Sequence, residues 1–166
     1  FWRHRKVLVT GGNGFLGRQV VAQLRRQGAE VLAPRSSELD LLDPAAAVRF
    51  IREQRPSGVV HLAARVGGIG ANRAHPGSFF FANMAMGLHL IDACRAEGVE
   101  KVLVLGTVCA YPKFCPVPFR EDDLWNGYPE ETNAPYGVAK KALLVQLQSY
   151  RQEYGTRGIF LIPVNL

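Results

Sequence analysis

Tyr136 and Lys140 stand four positions apart in the run Tyr136-Gly-Val-Ala-Lys140, a spacing that puts both side chains on one face of a helix. An ammonium beside a phenol favours the phenolate by Coulomb attraction. The expectation is therefore a phenol drawn from its ordinary pKa of about 10 toward neutrality, able to give and take a proton. Thr107 follows the apolar run Lys101-Val-Leu-Val-Leu-Gly106, and Cys109 lies two residues further on. A hydroxyl donor, an acidified phenol and a proton-moving thiol suit reduction combined with epimerisation beside a carbonyl. Taken singly these signals are weak, because Tyr/Lys pairs are common on surfaces and most free cysteines are small buried hydrophobes. The elements around them decide.

Lys6-Val-Leu-Val-Thr10 has the pattern of a buried strand and leads into Gly11-Gly-Asn-Gly-Phe-Leu-Gly17. Glycines between a strand and a helix permit a tight turn and close backbone approach to a pyrophosphate, which the helix N-terminus stabilises. Dinucleotide binding is accordingly assigned to Gly11, Gly12, Asn13, Gly14, Phe15, Leu16 and Gly17. Helical spacing of Phe15, Leu16, Val20, Val21 and Leu24 runs on to Gly28, which is placed to end the helix. A second strand over 30–33 ends in Ala33-Pro-Arg-Ser-Ser37, where an acidic residue would mark NAD. No acid stands at that place. Arg35 and Ser36 could hold a 2′-phosphate, so NADP is favoured, with NAD the other candidate, while Asp40 and Leu41 fall where an adenine would be bordered.

Asp43 caps a helix predicted over 44–54, with Pro44 at its first turn. A third strand spans 58–63, and its end, Leu62, Ala63 and Ala64, joins the cofactor-binding set. The glycine-rich segment 66–70 reads as a loop, and a long helix follows over 77–97. A fourth strand covers 101–105, and Thr107 to Ala134 is a long loop too extended to be mere connection. A helix over 135–154 carries Tyr136 and Lys140, and a last strand spans 158–162. Strands alternating with helices at this spacing imply βαβ units and a doubly wound parallel sheet, an α/β Rossmann fold in three layers. The whole chain, 1–166, is one NAD(P)-binding domain in this reading.

The excess of six positive charges, 20 Lys and Arg against 14 Asp and Glu, is scattered rather than gathered into an arm. It argues against nucleic acid and suits a phosphate-rich small ligand. Charge, Gly or Pro interrupts every apolar stretch well short of the 18 or so residues of a membrane span. The start Phe-Trp-Arg-His-Arg-Lys has no secretory apolar core. Three cysteines, Cys94, Cys109 and Cys115, form no CxxC pair, which fits reduced thiols in the cytoplasm. His61, His75 and His89 show no metal-ligand spacing, so no metal is expected, and His61 reads as structural. Cys94 reads as core and Cys115 as a loop thiol. The abrupt stop at Pro163-Val-Asn-Leu166 leads to the expectation that a C-terminal substrate-binding part lies outside this chain.

Together these motifs resemble the extended short-chain dehydrogenase/reductases, the NAD-dependent epimerase/dehydratase group. More narrowly, Glu38-Leu-Asp-Leu-Leu-Asp43, Ala64-Arg-Val-Gly-Gly-Ile69, Thr107-Val-Cys-Ala-Tyr-Pro-Lys113 and Asn133-Ala-Pro-Tyr-Gly-Val-Ala-Lys140 are similar to the GDP-L-fucose synthase family, over nearly the whole chain. The resemblance implies an NADPH-dependent 3,5-epimerase-4-reductase of GDP-4-keto-6-deoxy-mannose, and a homodimer formed through the two long helices. Tyr136 would protonate the sugar C4 oxygen, Lys140 would bind the nicotinamide ribose, Thr107 would hydrogen-bond the same oxygen, and Cys109 would exchange protons at C3 and C5. Leu105, Gly106, Thr107, Val108, Pro163, Val164, Asn165 and Leu166 would border the nicotinamide. That family usually has serine in place of Thr107, and a histidine past the last strand that this chain does not reach.

Four other readings stand beside this one. A 4,6-dehydratase would show Asp-Glu after the threonine, where Val108-Cys109 stands. A 4-epimerase needs no thiol there and keeps NAD, while a reductase or epimerase of a related GDP-linked deoxysugar or heptose fits more closely. A non-catalytic NADP-binding sensor or scaffold would not need the Tyr and Lys that remain here.

Overall fold

Short runs rich in Val and Leu form five parallel strands: β1 Lys6–Thr10, β2 Glu30–Leu32, β3 Gly58–His61, β4 Lys101–Leu105 and β5 Gly158–Leu161. The structure, a computed structural model, describes residues 1–164. The strands pair in the order β2-β1-β3-β4-β5, every pair parallel. Helices α1 Phe15–Arg26, α2 Pro44–Gln54, α3 Ile69–Ala74, α4 Pro76–Ala96 and α5 Ala134–Tyr154 connect them.

Successive strand residues point to opposite faces, and both faces are apolar as buried parallel sheets require. Val7 and Val9 pack on one side with Val21 and Leu24 of α1. Leu8, Val59, Val102 and Val104 pack on the other with Ala47 and Ile51 of α2, Leu90 and Ile91 of α4, and Leu143 and Leu147 of α5. The result is the three-layer Rossmann fold expected from the alternation. From β1 the chain winds outward to β2, then crosses back to lay β3 on the other side of β1. This reversal opens a crevice at the C-terminal ends of β1 and β3, where such sheets bind ligands.

The helix expected at 44–54 has those bounds, and Asp43 accepts a hydrogen bond from Ala45 N at 2.9 Å. Elsewhere the boundaries move. Strands β2, β3 and β5 stop at Leu32, His61 and Leu161, one or two residues short of the expected ends. Helices α4 and α5 each begin one residue early, at Pro76 and Ala134, and α4 ends at Ala96.

The glycine-rich loop expected at 66–70 is instead the approach to α3, which starts at Ile69. Its glycine content disfavours a helix, but a tertiary hydrogen bond from Asn72 Nδ2 to Asn133 Oδ1 at 3.1 Å anchors it to the segment before α5. The long segment before α5 holds two 3-10 turns, Val108–Ala110 and Glu121–Trp125. The second is tied to α5 by the Lys141 ammonium, 4.7 Å from the centroid of the Trp125 ring.

Candidate active site

The glycine loop can be built only without side chains at its closest points. Gly11 has φ +70, and a Cβ on Gly17 would lie 2.1 Å from the Gly11 carbonyl oxygen, so α1 rests directly on the turn that precedes it. Gly14 at the start of α1 offers no side-chain cap and the first turn holds no acid. Its N–H groups are thus free to meet an anion, with Arg18 of that turn exposed nearby. Asn13 Nδ2 donates to Ala33 O at 3.1 Å and joins this loop to the end of β2. Phe15 is exposed and Leu16 half-buried. A backbone cradle, an uncapped helix and a nearby cation together fit a dinucleotide pyrophosphate.

Beneath the loop, Thr10 and His61 face each other across β1 and β3. Thr10 Oγ1 and His61 Nδ1 lie 2.8 Å apart in the core, and Ala63 N donates to the same Thr10 oxygen at 3.4 Å. Burial, and then the charge of Lys140, hold His61 well below the ordinary histidine pKa, so the imidazole is neutral. Its expected structural role follows. The bond holds the exit of β3, where Leu62 packs toward α1 and Ala63 N comes within 2.7 Å of where a Gly11 Cβ would stand. Beyond Ala64, buried Asn83 of α4 clamps the backbone of Arg65, accepting from its N at 2.9 Å and donating to its O at 2.8 Å. Asn83 was absent from the expected site, although a single Asn within the apolar run of α4 is the signal that marks it.

Helix α5 presses against the first 3-10 turn, which brings Tyr136 within the electrostatic reach of Cys109. A Cβ on Gly137 would lie 2.3 Å from the Cys109 carbonyl oxygen, so only glycine permits this approach. Thr107 Oγ1 accepts from Cys109 N at 3.1 Å, capping the turn, and its own hydroxyl proton remains free to donate. Lys140 is 1% exposed, and burial lowers its pKa to about 8.

The phenol behaves differently from the sequence expectation. Burial, and then the like charge of the neighbouring Cys109, push Tyr136 up to about 12. Desolvation, not the lysine four residues away, sets the direction of the shift. Tyr136 is held as a protonated donor, which is the state needed to deliver a proton.

At the end of β2, Arg35 and Ser36 are exposed as a phosphate site requires. No acid stands within 33–37, as expected; the next residue, Glu38, folds its carboxylate back to accept from Arg35 N at 2.7 Å. Asp40 is exposed and accepts from Leu42 N. Leu41 is packed into the core and its carbonyl meets His89 Nδ1 at 2.9 Å. Leu105 and Gly106 close β4, with Gly106 N donating to Leu161 O at 2.7 Å. Pro163 and Val164 follow β5, whereas Asn165 and Leu166 lie outside the described residues.

Cys94 is buried in the core, which drives its thiol far up, and Cys115 packs beside Ala110, Tyr111 and Leu124. Among the described residues, no group of three or more His, Cys, Asp or Glu could hold a metal, and no helix is long and apolar enough to cross a membrane. An apolar hollow at the opposite strand ends, between Trp2, Val60, Leu103 and Ile159, lies away from Tyr136 and the glycine loop.

Comparison with known proteins agrees with this geometry. Residues 7–166 match the model of the NAD dependent epimerase/dehydratase family. A GDP-L-fucose synthase of Sinorhizobium fredii is 36% identical, covering 98% of this chain and 52% of that protein. The chain thus spans about half the length of the curated relatives it matches. Among solved structures, the GDP-mannoheptose C4 reductase from Campylobacter jejuni with NADP bound superposes with TM-score 0.93 at 28% identity, covering 98% of this chain and 52% of that one. A GDP-L-fucose synthetase from Naegleria fowleri bound to NADP gives 0.90 at 28%, covering 99% and 55%.

Burying Lys140 has a cost that pH exposes. With a folded pKa of about 8 against an ordinary value of about 10.4, the folded chain binds fewer protons than the unfolded chain between those values. The Lys140 contribution to stability without ligand rises with pH from about 8 to 10, against the opposite contributions of the buried Cys94 thiol and then the Tyr136 phenol, so it is read as the difference between wild type and Lys140→Met. Lys140→Met should remove that rise and stabilise the protein at pH 7 on the order of 3 kcal/mol. Urea denaturation of both proteins from pH 7 to 10 checks this; a parallel pH dependence in the two would contradict it.

Proposed function

Because the chain belongs to the NAD dependent epimerase/dehydratase family, we propose that it is an NADP-dependent epimerase/reductase acting on a GDP-linked 4-keto-6-deoxy sugar, with GDP-4-keto-6-deoxy-mannose converted to GDP-L-fucose. The observation that supports the reading is the close approach of Gly137 to the Cys109 carbonyl, which seats the helix of Tyr136 and Lys140 on the Thr107–Cys109 turn after β4. NADPH supplies the hydride when bound. Gly11 to Gly17 cradle its pyrophosphate, and Arg35 with Ser36 takes the 2′-phosphate.

The remaining steps belong to the side chains. Thr107, already accepting from Cys109 N, donates a hydrogen bond through its hydroxyl to the C4 carbonyl oxygen and orients it. Tyr136 then protonates that oxygen as the carbonyl becomes an alcohol. Lys140, buried behind the phenol's helix face, binds the nicotinamide ribose and holds a positive charge where phenolate develops. Cys109 is the base or acid that exchanges protons at C3 and C5, which the adjacent ketone acidifies: one group takes the carbon's proton, a second group on the opposite face returns one from solvent, and each centre inverts before reduction. Reduction at C4 without epimerisation, on a GDP-linked heptose, is the second reading, favoured by the likeness to the reductase above.

A second copy of the chain covers the α4–α5 pair. Phe81 is 63% exposed and Val145 45%, and with Met84, Leu88, Val138 and Ala142 they form apolar stripes at helical spacing on adjacent helices. A homodimer built on those stripes, in the cytoplasm where Cys94, Cys109 and Cys115 stay as free thiols, accounts for both features.

NADPH oxidation with GDP-, UDP-, dTDP- and CDP-linked 4-keto sugars tests the assignment, with turnover expected on the GDP substrate. Tyr136→Phe should lower kcat by about 10²–10⁴-fold while NADPH binding survives; undiminished turnover would remove the assigned donor. Cys109→Ser should abolish solvent deuterium incorporation at C3 and C5 while largely sparing reduction of an already epimerised ketone. Equal loss of both steps would make the thiol structural. In sedimentation, Phe81→Asp should turn a dimer into a monomer, and an unchanged mass would place the interface elsewhere.

A further inference from the structure

We infer that Glu38 sets how strongly the end of β2 discriminates between dinucleotides with and without a 2′-phosphate, an inference that rests on the dinucleotide-binding reading of the crevice. The chain leaves β2 at Leu32, and Asn13 of the glycine loop grips Ala33 O, so the next residues are held beside that loop. Residues 35–39 then form a single tight turn. Glu38 N and Leu39 N both donate to Arg35 O, at 2.9 and 3.0 Å, and the Glu38 carboxylate returns to accept from Arg35 N at 2.7 Å. Leu39 and Leu41 are buried in the core directly after the turn, which fixes its position while Arg35, Ser36, Ser37 and Glu38 stay exposed.

The turn therefore presents two opposed features. Arg35 forms no ion pair among the described residues, so its guanidinium is available to a phosphate, and the hydroxyls of Ser36 and Ser37 flank it. Yet an anion already occupies the backbone donor of the same residue. A 2′-phosphate brought to Arg35 would be bound by the guanidinium against the field of the Glu38 carboxylate. A ribose 2′-hydroxyl carries no charge and meets no such repulsion; the carboxylate can accept a hydrogen bond from it instead. Glu38 thus weakens the preference for the phosphorylated cofactor that Arg35 creates, and the site binds both.

Glu38→Gln separates charge from architecture, because the amide oxygen can still accept from Arg35 N and keep the turn. Removing one unit charge several ångströms from a dianionic phosphate in a solvated setting is worth roughly 3- to 10-fold in affinity. Dissociation constants for NADPH and NADH are to be measured by fluorescence titration on wild type, Glu38→Gln and Arg35→Ala, in 0.05 and 0.5 M NaCl. The expected result for Glu38→Gln is a 3- to 10-fold tighter NADPH complex with NADH unchanged or weaker, the NADPH gain shrinking at high salt. Arg35→Ala should move NADPH the opposite way. If Glu38→Gln shifts both cofactors equally, or neither, Glu38 has only its turn-holding role and the inference fails while dinucleotide binding stands. Wild-type protein that binds neither cofactor overturns both.

Discussion

The pairing of β1 with β3 is the seam on which everything functional hangs. It is the point where the order of winding reverses, so the chain departs on opposite sides at the C-terminal edge and leaves a crevice between the two exits. Thr10 and His61 lock that edge with a buried side-chain hydrogen bond. The glycine loop springs from one member of the pair, and the Leu62–Ala64 exit from the other. A neutral imidazole is compatible with this position. A charged one, fully buried and in the field of Lys140, is not.

The same edge collects polar groups that burial makes unfavourable. Lys140 is enclosed and loses part of its affinity for a proton, Tyr136 holds its proton more tightly, and Asn83 is satisfied only by the backbone of Arg65 and Phe79. A core chosen for stability alone would place apolar side chains at these positions. Their presence together, in one corner of an otherwise apolar interior, is the physical signature of a site in which proton position matters. The direction of the tyrosine shift matters most, because a phenol kept protonated by desolvation is ready to donate without first being charged.

Local features of the fold were legible in the residues. The helix from Pro44 to Gln54 carries its proline, its Asp43 cap and its apolar spacing in consecutive positions, and each has a local physical cause. The strands declared themselves as apolar runs, but their ends did not, since Ala63 leaves the ladder to meet a glycine far away in sequence. Helix α3 was illegible for the same reason. Its glycines argue for a loop, and it is a hydrogen bond to Asn133, across sixty-one positions, that holds it.

The sequence by itself determined the βαβ order, the open glycine turn, the helical face shared by Tyr136 and Lys140, and the identity of the groups able to do chemistry. These follow from backbone periodicity and short-range sterics, which neighbouring residues encode. Tertiary structure alone decided that Gly137 seats α5 on the Cys109 backbone, that Glu38 turns back on Arg35, and that the phenol is raised rather than lowered. Proton affinities depend on which distant segments exclude water from a group, and exclusion of water is a property of the packed molecule that no local spacing carries.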